Sequence, residues 1–181
     1  MHEKRFNREI ERLRDPERIA RIEVERVVEL SLAGLDGIRT VLDIGTGTGL
    51  FAEYFAARGL LVTAIDANPE MLAAAFNFVP AAKFQEAPAE NLPFIDAVFD
   101  LAFMGLVLHE TDDALAALRQ AYRVTTRRLA VLEWPDEEQP FGPPRSDRLS
   151  SEQITSLALQ ARFKEVKPVR LQNLVLYQLE H

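Results

Sequence analysis

The 181-residue sequence contains no cysteine. That absence excludes disulfides, thiolate metal sites and a cysteine nucleophile. Histidine is scarce as well: of three, His2 and His181 lie at the ends and only His109 is internal. No metal site is expected. No apolar run is long enough to span a bilayer, and no N-terminal stretch has the apolar centre of a signal peptide. The expectation is therefore a cytoplasmic protein with no membrane insertion. Basic residues are in deficit, 21 against 28 acidic, for a formal net charge of -7 and a pI of about 5.1. Such a chain lacks the global field that draws a protein to nucleic acid or an anionic surface, so no nucleic-acid partner is expected. Internal repeats and low-complexity tails are missing too.

What remains is ordinary globular composition, 48% hydrophobic and 27% charged, in a chain long enough for one domain with a full sheet and helices on both faces. The organising stretch is residues 41–50. Val41-Leu42-Asp43-Ile44 has strand character, Gly45-Thr46-Gly47-Thr48-Gly49 follows, and residues 50–57 read as a helix. Glycines at a strand-to-helix turn permit the tight turn and let a ligand lie on the backbone. The N–H groups that open the helix favour a polar or anionic group. A second apolar run, 60–65, ends in Asp66, where an acid at a strand tip is placed to accept hydrogen bonds from ribose hydroxyls.

Along the rest of the chain, residues 1–14 mix charges of both signs, and any helix there is expected to be solvated. Asp15-Pro16 caps and opens a helix carrying Ile19, Ile22, Val27, Val28 and Leu32 before Gly34. Asn68-Pro69 opens another, over 71–79. Strands are expected at 82–86, 97–104 and 128–134, and Asp112 or Asp113 caps a helix whose face carries Leu115, Leu118 and Tyr122. Residues 135–147, with Pro140, Gly142, Pro143 and Pro144, read as a loop leaving the fifth strand. Ser150 and Gln153 have capping-box spacing, and strands at 163–169 and 174–179 close the chain as a hairpin. Strands and helices alternating at this rhythm indicate an α/β fold with a mostly parallel sheet.

The Gly-x-Gly-x-Gly spacing with Asp43 just ahead resembles the first motif of the class I S-adenosylmethionine-dependent methyltransferases. Ala89-Glu90-Asn91-Leu92-Pro93-Phe94 leading into Phe99-Asp100-Leu101 is similar to the small-molecule, quinone-biosynthesis type, although that type often has an acid where this chain has Pro88. Trp134-Pro135, Gly142-Pro143-Pro144 and Arg148-Leu149 also resemble uncharacterised bacterial and archaeal members. The resemblance implies a Rossmann-like, doubly wound, mostly parallel seven-stranded sheet with an antiparallel C-terminal strand. It divides a single 1–181 domain into a helical cover (1–40), a cofactor-binding core (41–134), a loop (135–148) and a C-terminal helix and hairpin (149–181).

By the same resemblance, Gly45, Thr46, Gly47 and Gly49 cradle the methionine and ribose part of S-adenosylmethionine, Asp43 lies near its amino end, and Asp66 takes the ribose hydroxyls. Ala67 and Met71 flank the adenine opposite Ala89 and Glu90. Met104, Gly105 and His109 lie near the transferable methyl, with His109 either lining the pocket or acting as a general base. S-adenosylhomocysteine would be the product, and the partner a small-molecule acceptor in an apolar pocket, with the protein a monomer or homodimer. Two alternatives stand beside this: a nicotinamide-dependent oxidoreductase, which prefers a different glycine spacing, and a non-catalytic module that binds the nucleoside.

Overall fold

The strand, turn and cap signals resolve into sixteen short elements in the computed structural model, which describes residues 10–181. In chain order they include α1 (Ile10–Leu13), α2 (Pro16–Arg21), α3 (Val24–Leu32), β1 (Thr40–Ile44), α4 (Leu50–Ala56), β2 (Leu61–Asp66) and α5 (Pro69–Phe78). There follow β3 (Lys83–Glu86), β4 (Phe99–Gly105), α6 (Ala114–Val124), β5 (Thr125–Glu133), α7 (Ser151–Gln160), β6 (Glu165–Arg170) and β7 (Val175–Glu180). Single 3₁₀ turns occupy Leu108–Glu110 and Arg145–Asp147.

The strands make one sheet in the order β3-β2-β1-β4-β5-β7-β6. The pairs β1–β2, β1–β4, β2–β3 and β4–β5 are parallel, and β7 runs antiparallel to both β5 and β6. This is the mostly parallel seven-stranded sheet with a reversed last strand that the sequence implies. Side chains alternate across it. Val41, Leu101, Phe103, Ala130 and Leu132 face α3 and α4, meeting Val27, Val28, Ala52 and Phe55. Leu42, Ile44, Ala102, Met104, Leu129 and Val131 face Leu118, Ala121, Ile154 and Ala158 of α6 and α7. Burial on both faces explains why the central strands are nearly uninterrupted apolar runs. Phe103, fully buried between the rings of Phe51 and Phe55, is a position where truncation to alanine costs about 3–5 kcal/mol.

Chain order reverses between β1 and β4. Connections leave these two strands in opposite directions, which opens a crevice beyond their carboxyl ends. The caps behave locally as their chemistry dictates. Asn68 Oδ1 accepts from Glu70 N and Pro69 is the first helical residue, Asp113 Oδ1 accepts from Ala116 N, and Ser150 and Gln153 form the reciprocal capping box.

Three expectations are corrected. The helix read from Pro16 to Leu32 is two helices, broken at Glu23, which is left-handed (φ 49°, ψ 46°). No glycine or proline signals the break. It is held from a distance, by Gln172 N donating to Glu23 Oε2 and Asn173 Nδ2 donating to Arg21 O. Residues 1–14 were expected to be solvated; residues 1–9 lie outside the described part, but Arg14 is partly buried. It donates to Glu53 Oε2 at 2.6 Å and Thr48 O at 2.8 Å and lies over the Phe78 ring. The fourth strand begins at Phe99 rather than Ala97, because Ala97 has a positive φ and both it and Val98 donate to the last carbonyls of α6, Arg123 O and Val124 O.

Candidate active site

The turn between β1 and α4 is built from glycines in the left-handed region: φ is 70° at Gly45, 54° at Gly47 and 75° at Gly49. At such angles a Cβ costs about 1–2 kcal/mol. Neighbours add a steric reason at two of the three. A Cβ on Gly45 would lie 2.8 Å from Val107 Cγ1 and closer still to Cγ2, and one on Gly49 would lie 3.0 Å from Ala75 Cβ. Among the described residues, a Cβ on Gly47 would meet only Leu13 Cδ1, at an ordinary 3.6 Å. The turn is pinned by Thr46 N donating to Ile65 O and Gly49 N to Thr46 O.

Two carboxylates organise it further. Asp66, at the tip of β2, accepts from Gly47 N at 2.9 Å through one oxygen and from Asn68 N at 2.8 Å through the other. It therefore joins the glycine turn to the cap of α5 at the border of the cavity. Asp43 is 2% exposed, and its Oδ2 accepts from Thr46 Oγ1 at 2.6 Å. Burial pushes its acid up to about 7. The Thr46 hydrogen bond opposes this only partly, and the nearby Asp66 charge adds to it.

These groups line one cavity of about 1020 Å³. Its floor is the glycine turn with Asp43, Asp66 and the start of α5. One wall is Ala87–Glu90 and the segment from Gly105 to Thr111. The roof is α1–α2 together with Trp134 and residues 141–144. Of the residues singled out in the sequence, Asp43, Gly45, Thr46, Gly47, Asp66, Ala67, Met71, Ala89, Glu90, Gly105 and His109 all border it. Gly49 and Met104 do not. Gly49 is a packing glycine against α5, and Met104 points to the opposite face of the sheet, into the α6–α7 core. The pocket is also more charged than expected, since Arg12, Asp15, Arg18, Arg21, Glu110 and Asp147 join Leu106, Trp134 and Phe141 in lining it.

His109 follows Leu106, a non-glycine residue at φ 62°, and sits in the short turn above β4. Its Nδ1 lies 2.7 Å from Glu133 Oε2, and its backbone N donates to Glu133 Oε1. Glu133 is 1% exposed. Nε2 is 3.8 Å from Glu110 Oε1. Burial acts against protonation, but the Glu133 carboxylate, its hydrogen bond and Glu110 outweigh it, with Arg148 opposing, so the imidazole titrates above its ordinary value. Glu133 was missed in the sequence, although an acid ending an otherwise apolar central strand is a readable signal.

Arg148 was missed as well. At 8% exposure its guanidinium donates to the carbonyls of Pro135, Glu137, Phe141 and Pro143 and to Gln139 Oε1. One side chain thus gathers the loop 135–148 into a fixed wall, and Gly142 (φ 88°) lets that wall close on the Trp134 ring.

The cavity suits a nucleoside-bearing, partly cationic cofactor. Among the described residues nothing crowds Gly47, two carboxylates border the cavity, and the buried Thr48 Oγ1 of the same turn has no hydrogen-bond partner.

Comparison with known proteins gives likenesses of sequence and fold. Residues 42–128 match a family model described as a methyltransferase domain. A malonyl-[acyl-carrier protein] O-methyltransferase from Erwinia billingiae is 42% identical over 86 residues, 48% of this chain and 34% of that protein; the chain spans about a third of that relative's length. A SAM-dependent methyltransferase from Aquifex aeolicus is 26% identical, with a TM-score of 0.81 over 94% of this chain and 96% of that one. At the level of fold, a SAM-dependent methyltransferase from Thermotoga maritima, 24% identical, superposes with a TM-score of 0.72 over 98% and 96% of the two chains. Residues 42–128 thus match a methyltransferase domain, and the fold and these likenesses support a class I S-adenosylmethionine-dependent methyltransferase, with S-adenosylmethionine as its cofactor.

Proposed function

We propose that the protein transfers the methyl group of S-adenosylmethionine to an oxygen of a small-molecule acceptor bound beneath the α1–α2 roof. The observation that carries this is the single cavity at the β1/β4 switch point. It is lined at once by the glycine turn, Asp43 and Asp66 and by Trp134 and Phe141. Its volume is at the upper end of the range of about 300–1000 Å³ for ligand pockets. The choice of an oxygen nucleophile is supported by the name of the Erwinia relative, an O-methyltransferase.

When bound, the cofactor supplies an activated methyl group on a sulfonium. The chain's own residues do the rest. Asp66 accepts from the ribose hydroxyls while holding Gly47 N and Asn68 N, so the ribose is positioned by the same group that shapes the turn. Asp43 takes the amino end. Ala67, Met71, Ala89 and Glu90 enclose the adenine, and Gly105 borders the reacting end. The Arg148 clamp keeps the far wall in place without ligand, so less ordering remains to be done on binding. His109, fixed by Glu133 with Nε2 toward the cavity wall, lines the reacting end; it serves as a base only for an acceptor that must lose a proton.

Calorimetric titration with S-adenosylhomocysteine and NAD, followed by transfer of a labelled methyl group to candidate acceptors, tests the reading. Binding of S-adenosylhomocysteine in preference to NAD, with turnover, is expected. Preference for NAD would overturn it, and cofactor binding without transfer to any acceptor would leave a binding module.

A further inference from the structure

The arginines that line the cavity lie together. Asp43, Asp66, Glu90 and Glu110 lie on the sheet side, where a cationic cofactor is held, whereas Arg12, Arg18 and Arg21 line the roof. Arg18 and Arg21 are both partly buried. Arg18 Nη1 donates to Leu13 O, and the Arg21 guanidinium lies 4.6 Å from the centre of the Phe141 ring. Among the described residues, no carboxylate oxygen lies within ion-pair distance of either. Asp15, beside them, is engaged as the α2 cap, its Oδ1 accepting from Glu17 N and Arg18 N. Burial, followed by the charges of Arg12 and Arg21, pushes Arg18 down to about 10, so the guanidiniums sit at an electrostatic cost that an anion would relieve.

Arg21 is separated from the nucleoside by its place on Phe141, and Arg18 precedes it by one turn of α2. Asp66 ends β2, whereas Trp134 and Phe141 follow β5. Three inter-strand steps lie between, about 14 Å at the usual spacing of about 4.8 Å. The Arg21–Phe141–Trp134 cluster therefore stands at the acceptor end. The fold holds it there: the αL turn at Glu23, anchored by Gln172, swings α2 off the α3 axis and over the cavity.

We propose that Arg18 and Arg21 form the acceptor-recognition site and that the acceptor carries a carboxylate, which they hold by charge-assisted hydrogen bonds while its apolar part lies against Trp134 and Phe141. Planar guanidiniums suit a planar carboxylate. The roof also contains Asp15 and Asp147, which favours one negative charge over a phosphate's two. This inference rests on the methyl-transfer reading of the cavity.

The test uses the full chain saturated with S-adenosylhomocysteine and three probe pairs: malonyl-N-acetylcysteamine thioester, 4-hydroxybenzoate and hexanoate, each against its neutral methyl ester, titrated by ligand-observed NMR. At least one carboxylate should bind tenfold or more tightly than its ester. Arg18→Gln and Arg21→Gln should each remove most of that preference, Arg21→Lys should restore part of it, and S-adenosylhomocysteine affinity should stay within twofold. Melting temperatures confirm that each variant is folded, and the lysine variant keeps the test valid if a glutamine variant is not. No carboxylate preference in any pair, or a preference that survives both glutamine substitutions, overturns the proposal. So does a selective loss of S-adenosylhomocysteine affinity with 5′-methylthioadenosine affinity retained, since the arginines would then hold the cofactor's own carboxylate. Failure of the unaltered protein to bind S-adenosylhomocysteine at all would instead overturn the methyl-transfer reading.

Discussion

Replacing Asp43 by asparagine tests the electrostatics of the cavity floor directly. The side chain is 2% exposed, and burial raises its acid from 3.8 to about 7, with Asp66 adding and Thr46 only partly opposing. Between those two values the native state binds more protons at this site than the unfolded chain does. Stability from this group is therefore lost as pH rises from about 4 to about 7 and is level above that. The full gap amounts to about 4 kcal/mol at about 1.36 kcal/mol per pH unit. Between pH 5.5 and 7 it is about 2 kcal/mol, or about 4–8 °C in melting temperature for a chain of this size. Asparagine keeps an oxygen for Thr46 Oγ1 and has no charge to bury. Melting temperatures of both proteins, without cofactor, from pH 5.5 to 8.5 at matched ionic strength give a difference curve. That curve cancels His109, whose raised value also loses stability with rising pH, and His181, which burial lowers. The variant should gain on the parent by about 4–8 °C up to about pH 7 and run parallel beyond it. A constant difference across the whole range would refute the buried-acid argument.

Three further outcomes are expected. Asp66→Ala should weaken S-adenosylhomocysteine binding about ten- to a hundredfold by calorimetry, from loss of charge-assisted bonds worth about 1.5–3 kcal/mol. It should also lower the stability of the free protein by about 1–3 kcal/mol in urea melts, because Gly47 N and Asn68 N lose their acceptor; unchanged stability would mean water replaces the carboxylate. Gly45→Ala should be the more damaging of two glycine substitutions, adding the collision with Val107 to the backbone cost, whereas Gly47→Ala should lose only about 1–2 kcal/mol yet still impair cofactor binding; equal urea midpoints for the two would count against the steric account. Arg148→Lys cannot reach the acceptors that the guanidinium bridges, so limited proteolysis within residues 135–148 should be several-fold faster than in the parent, with or without S-adenosylhomocysteine. Unchanged cleavage would show that the loop is held by other contacts.

Much of the cofactor side was legible in the sequence because its determinants are local. The glycine turn declares its own backbone geometry. The Asn68-Pro69 start and the Ser150–Gln153 box act over two or three residues, and Asp66 marks the end of an apolar run. Alternation of strand and helix fixes a parallel sheet, because parallel strands need crossovers. What tertiary structure decided lies at long sequence separation or depends on which face a residue takes. Met104 and Gly105 are neighbours in sequence, yet only Gly105 reaches the cavity, since successive strand residues point to opposite faces. Glu133 meets His109 only because β5 lies beside β4. Arg148 becomes the centre of a loop that in one dimension reads equally as a connector or as a substrate-side segment. The helical break at Glu23 has no local signal at all; a backbone N–H from residue 172 holds it, and that contact is what brings Arg18 and Arg21 over the site.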